Sequence, residues 1–572
     1  MVNTNLKHKF KQYKALFLVC IFFLAILVWY SPIIFKGYSV QPISQDILLA
    51  RNYHETGILA IQNNQSIIIS SDLIEEQGYQ LPVSQYLRSV LYAKIFNITG
   101  VLDYNNLILL SIILYALVFI LFVVLILYLF NFKIAIVFSL IYIFSPIGWG
   151  LSRLSGAYEF CLLFLALFFI FYFLGAKKTE KSKNKFNNLF FIVSGIFLSL
   201  SALSREATLV FALAFFIFLF VKRFKQQLAY IFVPFVLLLV LFWLPSFLSG
   251  ENKYASLLTN RPTQESISMA ELHVFPDAYT YYFEKEEFLE EFKNQNRGWS
   301  ENIETRKILT NFGFEKFSLF NRIKINFYLL SQHILRFFSL EDFGGPFFSL
   351  LLVLGLIYLK NKYKFLYQLS LYWLIISFFV FSFVILVSRN HLMDFIWILI
   401  LLMSLGLFYL TQIIKNHFKL SKVWTIFLGV IMVGLAIYHL VLVNHVILGK
   451  EYDKDFIPRS IAYSQEIEEL NISNKEVIAV PGDFPSQGIV LNYLTNKSFV
   501  VFRDLTVEKL LEDEKTKQIF KVFEIKYILG FSEELSEKII EQTGIINIAS
   551  HALEINIESV SDNRGFLMNL IR

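Results

Sequence analysis

Long apolar runs, each closed by charged residues, dominate the pattern along the chain. They predict helical spans at roughly 15–35, 107–130, 134–150, 159–175, 189–203, 207–221, 228–247, 346–359, 366–387, 395–414 and 423–447. Residues 189–221 are apolar except at Ser204, Arg205 and Glu206. Their basic flanks predict a hairpin whose tip is Arg205, not one long helix. Each arm is about 15 residues, roughly 23 Å at 1.5 Å per residue. The hydrocarbon core is about 30 Å thick, so the tip is expected below the membrane surface, in a polar pocket. The turn between the third and fourth spans carries Arg153 and Glu159. An ionisable group at that depth is costly unless it faces protein or water. The two turns together predict a polar cavity open to the outer side.

Between the spans lie three larger segments. In 36–106 a short helix is expected from Asp46 to His54, ended by Gly57. A second, amphipathic helix opens at Pro82, with Tyr86, Leu87, Val90, Leu91 and Ile95 as its apolar stripe and Arg88 and Lys94 off it. Residues 248–345 carry the acidic stretch Glu284, Glu286, Glu287, Glu290 and Glu291, which reads as a solvated helix face. Residues 448–572 alternate strand and helix periods. Val477–Val480, Phe499–Phe502 and Tyr527–Leu529 read as strands, Val507–Phe520 and Ser532–Gln542 as helices. The expected architecture is an α-helical polytopic membrane protein of about eleven transmembrane helices, with an external C-terminal α/β domain. The membrane domain takes residues 1–447, including the two outer loops.

Composition supports that class. Of 572 residues, 56% are apolar and only 17% charged, against about 25% charged in soluble proteins. A soluble enzyme, a disordered chain and a fibrous protein are excluded. Basic clusters, including Lys177, Lys178 and Lys181, Lys222 and Arg223, and Lys415, Lys419 and Lys422, occupy short loops that then share one side. That side is the cytoplasm, which puts the N-terminus inside, the C-terminal domain outside, and the protein in the plasma membrane. The net charge of +6 sits in these loops and implies no nucleic-acid partner. Cys20 and Cys161 are the only cysteines, so a disulfide framework is excluded.

No GxxxxGK[ST] phosphate loop, HExxH, paired CxxC, dinucleotide loop or GxSxG elbow occurs. Chemistry on the outer face without nucleotide donors must draw on an energised lipid; otherwise the protein transports or scaffolds. The candidate residues are Asp46, Glu159, Arg205, Arg389 and His391, all expected at one membrane face. By spacing alone, Asp46 reads as a helix cap and Glu159 as a charge favoured by the helix dipole. Arg389 and His391 read as interface anchors.

The segments "ILLARNYHETGILA", "LPVSQYLRSVLYAKIFNITG", "SGAYEFCLLFLALFFIFYFL", "FIVSGIFLSLSALSREATLV" and "SRNHLMDFIWILILLMSLGL" follow in an order that resembles the GT-C glycosyltransferases. The resemblance is to glycosyltransferase family 39, the protein-mannosyltransferase and aminoarabinose-transferase-like group. It implies an integral-membrane glycosyltransferase with a polyprenyl-phosphate-linked sugar as donor, a lipid, glycan or protein acceptor, and Asp46 as catalytic base. Arg51, His54, Glu159, Arg205, Arg389 and His391 are then substrate-binding candidates. A divalent cation, Mg or Mn, would be held by Asp46 and Glu159. The chain departs from the family at Gln80, Leu81, Pro82 and Val83, where an aminoarabinose-transferase-like chain has Glu-Lys-Pro-Pro, and at Ile47, where mannosyltransferases often have Glu. A lipid-linked-sugar flippase and a polysaccharide polymerase or ligase are the competing readings.

Overall fold

The structure is a computed structural model. It describes residues 25, 45–57, 62–64, 68–70, 86–144, 158–181, 186–205, 207–248, 346–383, 396–450, 456–469, 476–481, 486–495, 497–502, 511, 516–522 and 525–547. The first expected span, save Ala25, the acidic stretch near Glu284, and Arg153 lie outside these residues. The chain divides into two compact units. One draws on Asn106–Glu251 and Leu319–Tyr452, the other on Phe35–Asn105 and Asp453–Arg572.

The first unit is a helical bundle. Its helices are α3 (Tyr104–Leu129), α4 (Phe132–Phe144), α5 (Glu159–Lys181), α6 (Phe186–Ser204), α7 (Thr208–Val221), α8 (Lys225–Leu248), α9 (Pro346–Lys362), α10 (Lys364–Phe383), α11 (Ile396–His417) and α12 (Lys422–Lys450). Each apolar run after the first coincides with one of them. Four are long and apolar enough to cross a membrane, and five more apolar helical stretches are shorter. The chain is a membrane protein. The break expected at Arg205 is present: α6 ends at Ser204 and α7 begins at Thr208. The Arg205 amide donates to the Ser201 carbonyl, and the Thr208 amide to the Arg205 carbonyl.

Phenylalanine fills the bundle because edge-to-face rings pack densely without polar atoms. Phe168 of α5 stands edge-on to Phe211 and Phe215 of α7. Phe211 meets Trp373 of α10, and Phe169 meets Trp397 of α11. The opposite faces of α8 and α12 expose Val233, Leu237, Phe427 and Val430, as helices bordering lipid do.

The second unit begins with α1 (Gln45–Thr56), which packs on α2 (Tyr86–Thr99). Gly57 closes α1 at φ +76, its amide donating to the Tyr53 carbonyl; only glycine takes that conformation without strain. The stripe expected on α2 needs correction. The buried face is Leu87, Ser89, Tyr92, Ala93 and Phe96, with Arg88 buried beside it. Val90, Leu91 and Ile95 are only half-buried. Small and aromatic residues define this face, so a search for aliphatic spacing selects its flank.

A six-stranded sheet completes the unit, in the order β1-β2-β4-β3-β5-β6. The strands are β1 (Gln62–Asn64), β2 (Ile68–Ser70), β3 (Val477–Pro481), β4 (Ser498–Phe502), β5 (Ile525–Ile528) and β6 (Ile546–Asn547). From β4 to β6 the pairing is parallel. Helices α14 (Ser486–Thr495), α15 (Thr516–Val522) and α16 (Glu533–Thr543) lie between successive parallel strands in the chain, and α13 (Phe456–Glu469) precedes them. The four buried residues of β3 mark it as the central strand. The first loop supplies β1 and β2, with β2 antiparallel to β4 through Ile68 opposite Val500 and Ile69 opposite Phe499. The sheet is therefore built from two distant parts of the chain. Of the helix expected over Val507–Phe520, only Leu511 and α15 are described.

Helix α16 starts where its sequence predicts. Ser532 is the N-cap, and its hydroxyl accepts from the Leu535 amide at 3.4 Å. Ser532→Ala is expected to destabilise α16 locally by about 1 kcal/mol. Amide exchange across Glu533–Thr543 should then speed up roughly fivefold at unchanged exchange in α5–α7.

Candidate active site

Two of the expected site residues lie in the helical bundle, each in contact with Tyr158. Glu159 stands in the first turn of α5 and is buried, 1% exposed. One carboxylate oxygen accepts from the Tyr158 amide at 3.3 Å. The positive end of the α5 dipole favours that charge. Arg205, in the break between α6 and α7, sets its guanidinium 4.0 Å from the centre of the Tyr158 ring. Such a cation–π contact contributes about 0.5–2 kcal/mol, more as water is removed. The turn before α5 and the tip of the α6–α7 hairpin thus converge at Tyr158, the residue that precedes Glu159.

Under that pair lies a small polar network. The Cys161 thiol is 3.0 Å from the Thr208 hydroxyl and 3.5 Å from that of Ser201. Ser201 donates to the Cys161 carbonyl at 2.9 Å. These bonds tie the first turns of α5 and α7 to the last turn of α6, so the geometry around Arg205 is held from three helices. Tyr142 of α4, stacked on Tyr115 at 5.2 Å, lies within electrostatic reach of Glu159. Sequence reasoning missed Tyr158, Tyr142 and Tyr115. A single aromatic residue in a chain with 29 tyrosines carries no pattern.

The remaining candidates divide. Asp46 is in the first turn of α1, in the second unit. Arg51, in the same helix, bonds Glu55 at 2.8 Å and reaches the carbonyls of Asn492, at 3.3 Å, and Tyr493. His54 Nδ1 is 2.6 Å from Asn97 Oδ1, and its ring stands edge-on to Phe96. Both side chains thus make bonds within the second unit, linking α1 to α14 and to α2. Arg389 and His391 lie outside the described residues. Arg88, read as lying off the helix stripe, is buried at 6% exposure.

Burial holds the Tyr493 phenol above its ordinary pKa range, against the pull of Arg51 in the other direction. It therefore stays protonated at neutral pH and donates to the Leu102 carbonyl at 2.6 Å.

For the divalent cation, the described residues contain no group of three or more His, Cys, Asp and Glu placed to hold a metal ion. Asp46 and Glu159 are carboxylates of the kind that hold Mg²⁺ when waters and substrate phosphates complete its shell. No step below runs through a metal.

No protein-family model matches the sequence, and no curated protein does. Solved structures do match. The archaeal oligosaccharyltransferase AglB from Archaeoglobus fulgidus, in complex with an inhibitory peptide and a dolichol-phosphate, is 12% identical with a TM-score of 0.51. The match covers 91% of this chain and 69% of that one. The same enzyme in complex with Zn and sulfate gives 12% identity and a TM-score of 0.52 over 89% and 67%. ArnT from Cupriavidus metallidurans, bound to undecaprenyl phosphate, is 10% identical over 93% and 89%, with a TM-score of 0.36 that supports nothing further. The chain therefore shares its fold with the archaeal oligosaccharyltransferase AglB.

Proposed function

We propose that the protein transfers a sugar from a polyprenyl-phosphate-linked donor to an acceptor hydroxyl at the outer face of the plasma membrane. The observation that carries this reading is Arg205 lying over the Tyr158 ring, with the buried Glu159 next in the chain, at the ends of three helices in a fold shared with AglB. A neighbour of the same fold, AglB, is seen with an inhibitory peptide and a dolichol-phosphate, the latter of the class of lipid phosphate that such a reaction releases.

Asp46 takes the proton from the acceptor hydroxyl as its oxygen attacks the anomeric carbon. The bond from that carbon to the phosphate oxygen breaks, and the phosphate leaves with the electron pair. Direct displacement inverts the anomeric centre. Negative charge grows on the leaving phosphate, and Arg205 with Arg389 meets it through charge-assisted hydrogen bonds. Tyr158 keeps the Arg205 side chain extended over its ring, so little reorganisation is needed when the phosphate arrives. Glu159, His54 and His391 orient the sugar and the acceptor. The acceptor is a lipid, a glycan or a protein.

The test is transfer of radiolabelled sugar from polyprenyl phosphate by the purified protein in lipid vesicles. Label is expected in the acceptor, with free polyprenyl phosphate released in equal amount. Movement of intact donor across the bilayer with no transfer would replace this reading with that of a flippase.

A further inference from the structure

Helix α1 carries Asp46 in its first turn, and Arg51 follows about one and a half turns later. The Arg51 side chain is 12% exposed, and its hydrogen-bonding groups are engaged on two elements. On its own helix, Nε donates to Glu55 at 2.8 Å. Across the unit, Nη1 donates to the carbonyls of Asn492 and Tyr493, and the guanidinium carbon is 5.5 Å from the Tyr493 ring centre.

Those two carbonyls belong to the last four residues of α14, Ser486–Thr495. The last four carbonyls of a helix have no partner within it, and they form the negative end of its dipole. A guanidinium placed there satisfies two of them and meets favourable charge. Arg51 therefore closes α14 from 441 residues away in the chain.

The grip is not confined to Arg51. Tyr493, buried on α14, donates to the Leu102 carbonyl at 2.6 Å. Asn492 donates to the Lys497 carbonyl at 2.7 Å and fixes the turn from α14 into β4. Strand β2 pairs with β4 along Ile68 and Ile69. The first loop thus holds the α14–β4 corner at three separate places, and the place nearest Asp46 is Arg51.

We infer that Arg51 and Tyr493 are positioning residues, which fix α1, and with it Asp46, to the C-terminal α/β sheet. This rests on the reading of Asp46 as the base. The sheet is then a rigid mount for the catalytic helix, and Arg51 acts through Asp46 without touching sugar or phosphate.

Two measurements on the full-length protein test this separately. The first is amide exchange. Arg51→Met is expected to speed exchange in Gln45–Thr56 and in the last turn of α14, with α3–α12 unchanged. Unaltered exchange in α1 would overturn the inference whatever the protein's activity. The second is transfer kinetics. Arg51→Met is expected to lower kcat by up to about 10²-fold, as small misplacements of a reacting group do, with the donor KM within about twofold. Arg51→Lys, which keeps one donor for the α14 carbonyls, should recover part of the loss. In an Asp46→Asn background, Arg51→Met should cause no further fall. A multiplicative loss there, or an effect confined to donor KM, would mean that Arg51 binds substrate directly and would overturn the inference. Should Arg51→Met fail to fold, Tyr493→Phe removes only the bond to Leu102. It should then move exchange and kcat in the same direction by less, and no movement in either would count against the mount. Absence of transfer by the wild type would remove the proposed function and leave the exchange measurement standing.

Discussion

Asp46→Asn is expected to lower sugar transfer by about 10²–10⁴-fold, the usual contribution of a general base. The substitution separates two roles that the sequence alone leaves together. Asp46 sits in the first turn of α1, one residue inside its start at Gln45, where Asn keeps the side chain's size and gives up only about 0.3–1 kcal/mol of charge–dipole attraction. The fold of α1, its packing on α2 and the Arg51 contacts should therefore survive. Only the ability to accept a proton at neutral pH is lost. Donor affinity, measured by binding of the polyprenyl-phosphate sugar to purified protein, should change by less than about threefold, because the loss is confined to the transition state. A variant that transfers at the wild-type rate would reduce Asp46 to a helix-start residue. The phosphate contact proposed for Arg205 would then need a base from elsewhere.

Much of the bundle can be read directly from the sequence, because membrane helices announce themselves by length and hydropathy. The α6–α7 break was legible for a subtler reason. Basic flanks on both sides of an apolar stretch demand a return, and Arg205 is where a return can pay the smallest desolvation cost. The contact of Arg205 with the Tyr158 ring joins the two turns that were expected to share a polar refuge. Strands β3, β4 and β5 and helix α16 were likewise visible in local pattern. What escaped were features that local pattern does not encode. Strands β1 and β2 are three residues each, too short for an alternation to stand out, and they exist through pairing with a distant part of the chain. Helix α13 buries Ser460, Tyr463, Ser464 and Ile467, a face half made of serine that hydrophobic spacing passes over. The Arg51 contact is to backbone carbonyls, which have no side-chain signature at all. In each case the missing information is tertiary, and the residue types involved are compatible with many other partners.

Gly406→Leu is expected to abolish the folded bundle. Helices α9 and α11 cross with their backbones in contact. A Cβ built on Gly355 would fall within the Leu402 carbonyl, and one built on Gly406 within the Leu351 carbonyl. The relation is reciprocal: the two positions on each helix, Leu351 with Gly355 and Leu402 with Gly406, are one helical turn apart. Helix association inside a membrane has no hydrophobic driving force between apolar surfaces and depends on such close approach. No side-chain rotation relieves an overlap with backbone, so the axes must separate. Trp397 of α11 stacks on Phe122 of α3 at 4.9 Å and packs against Phe169 of α5, so displacing α11 also unpacks the aromatic core. Overpacking costs about 1–3 kcal/mol at tolerant sites, and a rigid backbone contact should cost more. Gly406→Ala should already lower the melting temperature of the detergent-purified protein, and Gly406→Leu should leave no monodisperse species on size exclusion. Gly434 in α12 supplies the control, since a Cβ there meets nothing within 4 Å. Gly434→Ala should be neutral or stabilise by up to about 1 kcal/mol through helix propensity. A Gly406→Leu protein that elutes and melts like the wild type would mean that α9 and α11 do not cross at these glycines.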